Sequence, residues 1–126
     1  MEATRMAEQT ISGAQELVFE MMKKASFNEF DGEKVVESLK GKRYLWKNAW
    51  MGRTGGWADL VVLRDLHEDH INIDELFIIA SEGKVMELKA LAGTWKADEV
   101  GWLSKEETQR QLGTGDRLKV LRVWWD

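Results

Sequence analysis

Two histidines, His67 and His70, flank Glu68 and Asp69. A His-x-x-His spacing with carboxylates between can set imidazole nitrogens and carboxylate oxygens around one metal ion. Two ligands do not complete a coordination shell, and no third is specified. A solvated turn between strands is the plainer reading, and no metal ligand is assigned. Cysteine is absent, which removes disulfides, thiolate ligands and thiol nucleophiles. There is no Gly-x-Ser-x-Gly elbow to present a serine nucleophile, although a triad assembled from distant positions needs no fixed order. The run Gly52, Arg53, Thr54, Gly55, Gly56 can offer backbone N–H groups to an anion. It lacks the Lys-Ser/Thr ending of a phosphate-binding loop and reads as a hairpin connection.

More informative are charges set among apolar strand positions. Asp59 alternates with Trp57, Val61 and Leu63, and Arg64 with Leu60, Val62 and Leu66. Glu75 lies between Ile73 and Phe77, and Arg122 between Val120 and Trp124. A buried charge must be paired or must shift its pKa. If the sheet encloses a pocket, Asp59, Glu75 and Arg122 are its polar groups, and Trp46, Trp50, Trp57 and Trp124 its walls. The alternative is that these charges end strands or form structural ion pairs. The segment from Trp95 to Trp102 brackets the acidic pair Asp98 and Glu99 with two indoles. It can recognise a cationic or aromatic group, but more often such rings plug a core.

The chain that must position these residues has 126 residues, 44% hydrophobic and 32% charged, enough for one domain (1–126) with a real core. Its net charge of -4 speaks against nucleic acid and against anionic membranes as partners. The opening Met1, Glu2, Ala3, Thr4, Arg5 has no apolar targeting core, and the longest apolar runs are far too short to span a bilayer. A cytoplasmic protein without a cofactor is expected.

Ser12 and Gln15 have the form of a capping box, followed by apolar residues at helical period through Ala25. The Met residues on this stripe are expected to face the core. Asp31 caps a second helix over 32–40, which Gly41 ends in a left-handed conformation. The pattern then turns to strands: 43–51 with Tyr44, Trp46 and Trp50 on one face, 57–66, 71–80, and 84–91 after a turn at Gly83. The segment 94–103 reads as a strand or as irregular. Ser104 and Glu107 form a second capping box, opening a short helix before a last strand over 118–125.

The expected fold is α+β: two N-terminal helices packed on a curved, mainly antiparallel sheet of about five strands, with a short helix before the last strand. The order is similar to that of cystatin-like and nuclear-transport-factor-like cones, a likeness of topology that implies no function. The unbroken apolar runs 60–63 and 76–80 demand cover on both sheet faces. Trp124 and Trp125 are adjacent, so in a strand they point to opposite faces. The helices cover one face. The other is covered by a second copy, curls round a cavity, or is bare. The first option makes the protein a non-enzymatic binding module that dimerises through a Trp-rich face, with Trp124 and Trp125 at the interface. The second makes it a small-ligand carrier, sensor or small enzyme. A metal-assisted enzyme using the His67 and His70 loop is the third.

Overall fold

The computed structural model describes residues 10–27, 29–52, 63–112 and 118–126. It is a mixed helix-and-sheet structure. Helix α1 (Gly13–Met22) leads through a short hairpin, β1 (Ser26–Phe27) and β2 (Phe30–Asp31), into α2 (Gly32–Gly41). A 3-10 turn (Arg43–Leu45) precedes β3 (Trp46–Gly52). Then follow α3 (Leu63–His67), β4 (Glu75–Ala80), α4 (Val85–Ala92), a 3-10 turn (Gly93–Trp95), β5 (Glu99–Trp102), α5 (Lys105–Leu112) and β6 (Val120–Trp124). The main sheet is antiparallel, with strand order β3-β4-β6-β5.

All three capping residues named from the sequence, Ser12, Asp31 and Ser104, act at helix starts. The Ser12 hydroxyl accepts from the Gln15 backbone N–H, and the Asp31 carboxylate from the Lys34 N–H. The first box is left half-made, because the Gln15 side chain goes elsewhere. Its Nε2 donates to the Ala49 carbonyl at 2.9 Å, and its Oε1 accepts from the Ala49 N–H at 2.8 Å. Ala49 sits on β3, the last strand in the sheet order, whose outward peptide groups need partners. Where α1 meets α2, a Cβ on Gly32 would lie 1.9 Å from the Met22 carbonyl oxygen, so only glycine permits the close turn between them.

Two buried indoles tie these helices to the sheet. Trp46 donates from Nε1 to the Leu39 carbonyl near the end of α2 at 2.7 Å, and Phe19 of α1 meets its ring edge-on at 5.4 Å. Trp125 donates to the Trp95 carbonyl at 3.0 Å and stacks on Phe30 at 4.2 Å. Around them α1, α2 and α4 supply Met22, Val35, Val36, Leu39, Leu88 and Ala92, which pack on Met51, Leu76, Ile78, Leu121 and Val123 of the sheet.

Several expected elements differ. The segment 84–91 is helical, not a strand: Met, Glu, Leu, Lys and Ala are good helix formers, and the buried pair Leu88 and Ala92 has helical spacing. Helix α4 thus replaces a strand that a cystatin-like or nuclear-transport-factor-like meander requires, and the sheet has four strands among the described residues. Of the expected strand 57–66, residues 57–62 lie outside the described residues, and 63–67 form α3. Gly41 closes α2 without a left-handed turn; among the described glycines only Gly83 has positive φ, at 75°.

Trp46 and Trp50 were expected on one face and lie on opposite faces. Trp46 pairs with Ala80, but Asn48 pairs with Ile79, so Lys47 is an extra residue that shifts the alternation. Trp46 is therefore 1% exposed and Trp50 is 37% exposed.

The Gln15 clamp makes a prediction. Gln15→Ala leaves a buried N–H and C=O without partners, and the expected loss is about 2–3 kcal/mol of stability in urea denaturation. A loss under about 0.5 kcal/mol would mean that water replaces the side chain at no net penalty.

Candidate functional site

The sheet face away from α1, α2 and α4 is built in rows fixed by strand register. Gly52, Glu75, Trp124 and Glu99 form one row, and Trp50, Phe77, Arg122 and Gly101 the next. Asn48, Ile79 and Val120 form a third. Helix α5 lies against this face. It opens with a complete capping box: Glu107 N–H donates to the Ser104 hydroxyl at 3.1 Å, and Ser104 N–H to the Glu107 carboxylate at 3.2 Å. The box fixes the direction of α5 and places Glu107 and Arg110, three apart, on one side of it.

Between α5 and the sheet runs a groove of about 440 Å³, lined by Glu75, Phe77, Leu103, Glu107, Arg110 and Arg122. At its floor the Arg122 Nε donates to the Glu75 carboxylate. The Glu75 side chain is only 14% exposed, so it needs this cation. A second guanidinium nitrogen of Arg122 reaches Glu99 at 3.4 Å, and the guanidinium carbon lies 5.9 Å from the Trp124 ring centre. Glycine on either flank leaves space: a Cβ on Gly52 would meet Glu75 Oε1 at 3.1 Å and Phe77 at 3.2 Å, and Gly101 faces open space beside Arg122.

Hydrogen bonds from the Ser104 backbone and hydroxyl region hold the Glu107 carboxyl below its ordinary range, aided by the positive charges of Arg110 and Arg122. Elsewhere burial pushes the Arg43 guanidinium down from its ordinary value. That guanidinium stacks on Trp46 at 4.2 Å and bonds the Trp46 and Thr10 carbonyls, a structural post remote from the groove residues in sequence.

Of the residues expected to bind a ligand, the structure brings Trp50, Glu75, Arg122 and Trp124 to one face. Trp46 is a core residue instead of a wall, because of the bulge at Lys47. Trp57 and Asp59 lie outside the described residues. Trp124 is half-buried on the outer face and Trp125 wholly buried on the inner one. The adjacent indoles do diverge, but Trp125 offers no surface to a partner, since Phe30 and the Trp95 carbonyl already occupy it. The sequence reading missed Leu103, Glu107 and Arg110. The Ser104 and Glu107 spacing marked the helix but not the face it packs on.

His67 ends α3, and Asp69, with φ of 60°, pairs with Lys24 at 2.9 Å. No group of three or more potential metal ligands gathers among the described residues. A second cleft of about 350 Å³ opens at the start of α2, beside Trp95, Lys96, Glu29 and Lys34. Its charges are partly engaged: Asp31 caps the helix, and Lys96 faces Glu29 at 3.8 Å. No described helix is long and apolar enough to cross a membrane.

Fold and site together define an α+β domain with a charged, aromatic-flanked groove on the less covered sheet face. No family model, curated protein or solved structure matches the chain.

Two outcomes follow from the groove's electrostatics. Arg122→Met strands Glu75 in a nearly closed setting. The expected destabilisation is about 1–2 kcal/mol at neutral pH, below that of a fully buried pair because Arg122 keeps solvent contact; thermal denaturation compared with Glu75→Gln, Arg122→Met reads it. Because folding lowers the Glu107 pKa, its contribution is present above the ordinary glutamate range and fades as pH falls through the lowered value. A carbon-13 NMR titration should find the Glu107 midpoint below the ordinary glutamate value, and Ser104→Ala should raise it only in part, because the backbone N–H at position 104 still donates to the carboxylate.

Proposed function

We propose that the protein is a binding module for a small organic ligand, held in the groove between α5 and the outer sheet face. One observation carries this reading: the Glu75–Arg122 pair, with Glu75 mostly buried and Arg122 still reached by solvent, forms the floor of a groove of about 440 Å³ that also has an aromatic side, Phe77. Small-molecule sites combine a concave, partly apolar wall with a few fixed polar groups, and this volume is within their usual range of roughly 300–1,000 Å³. A purely structural ion pair needs no such space above it. Trp50 and Trp124 lie in the neighbouring positions of the same face, within reach of a ligand that extends from the groove.

The outer face also supports a second reading. Trp50 stays more than a third exposed at its edge, and a second copy of the chain could cover it together with Trp124 by two-fold symmetry. This keeps the homodimer expected from the sequence, with Trp124 still an anchor and Trp50 in place of Trp125.

Ligand screening by thermal shift against a metabolite panel, with isothermal titration of the hits, tests the first reading. The expected result is a compound whose affinity falls about ten-fold or more in Arg122→Met, the usual effect of losing a charge-assisted contact. A panel without a hit, or hits indifferent to Arg122 and Phe77, would remove the groove as the site. Sedimentation velocity tests the second: a dimer at micromolar concentration that Trp50→Ala or Trp124→Ala dissociates is the expected signature, and a monomer refutes it.

A further inference from the structure

We infer that the groove ligand is a zwitterion with an apolar body, of the kind represented by a free aromatic amino acid; this rests on the groove being the binding site. The groove walls hold two carboxylates, Glu75 and Glu107, and two guanidinium groups, Arg110 and Arg122, around Phe77 and Leu103. A ligand with one charge of each sign can meet both a guanidinium and a carboxylate of this set, whereas a ligand with a single charge can meet only one of them.

The committed and uncommitted atoms sharpen this. Glu75 is engaged by Arg122 Nε and nearly closed off, so it holds that guanidinium in place. The outer nitrogen of Arg122 is turned to Glu99, whose side chain is 62% exposed, at 3.4 Å. Such an exposed pair contributes little and exchanges readily for a ligand carboxylate, which a guanidinium can grip with two parallel bonds. Arg110, exposed on α5, stands on the other wall with no ion pair among the described residues. Glu107 gives one carboxylate oxygen to the Ser104 N–H, and a carboxylate has further lone pairs to accept from an ammonium. The two signs thus occupy the sheet floor and the helix wall, and the apolar surfaces of Phe77 and Leu103 lie with them.

Isothermal titration of the full chain with L-phenylalanine, 3-phenylpropionate and 2-phenylethylamine tests the inference, since the latter two each lack one charge. L-Phenylalanine is expected to bind at least about ten-fold more tightly than either, one charge-assisted contact being lost in each analogue. Glu99→Gln is expected to tighten L-phenylalanine binding by up to about five-fold, because it frees Arg122. A merely structural Glu99 has no such effect. The variant keeps the surface exposed and is expected to fold. Equal or tighter binding of a singly charged analogue overturns the inference, and so does absence of L-phenylalanine binding at millimolar concentration. If other panel compounds still bind in an Arg122-dependent manner, the groove reading stands without it; if nothing binds, both fall.

Discussion

Burial of two indoles with their N–H groups satisfied is the constraint on which the rest of the structure depends. An indole is large enough to bridge a helical layer and a sheet, and leaving its N–H without an acceptor is costly, a cost that Trp95 carries and these two do not. Trp46 finds one in the Leu39 carbonyl at the end of α2, and Trp125 in the Trp95 carbonyl at the end of the turn after α4. The first bond joins β3 to the last turn of α2, and the second joins the residue just past β6 to the turn that follows α4. The positions of α2 and α4 over the sheet are therefore tied to the same two rings that fill the core. Phe19 and Phe30 complete the arrangement by meeting those rings from α1 and from the hairpin before α2.

Filling the inner face in this way decides the character of the outer one. Three helices and the indoles of Trp46 and Trp125 are committed to one side of the sheet. Among the described residues the groove on the other side is walled by the short, polar α5, and Phe77, Ile79, Arg122 and Trp124 are half-exposed there, with Trp50 more so. A charged pair is sustainable on this face because solvent still reaches Arg122, which lowers the desolvation penalty that a sealed pair carries. The groove lies where α5 and the residue before its cap, Leu103, stand over the half-exposed side chains of this face.

The edge of the sheet is treated with similar economy. Gln15 closes the outward peptide groups of Ala49 with both ends of its amide, at the expense of the capping box for which its spacing fits. The second box, Ser104 and Glu107, has no such competing demand and is complete. Identical local signals therefore gave different local structures, and the difference lies in what stood opposite each side chain in the fold.

By itself the sequence determined the fold class, the helix starts at Ser12, Asp31 and Ser104, the turn at Gly83, the last strand, and the divergence of Trp124 and Trp125. These rest on interactions within a few residues or on strand alternation, which are legible along a chain. It also set Glu75 and Arg122 apart as charges in apolar surroundings, though not as partners 47 residues apart. Only the tertiary structure decided that pairing, because strand order brings β4 beside β6 and no local signal encodes it. It likewise decided that 84–91 is a helix, where a short apolar segment fits either period until its neighbours are known. One extra residue, Lys47, turned Trp46 into the core and Trp50 outward, since a bulge shifts every later side chain to the opposite face. The face on which a ligand or a partner would meet this protein was set by that same long-range packing.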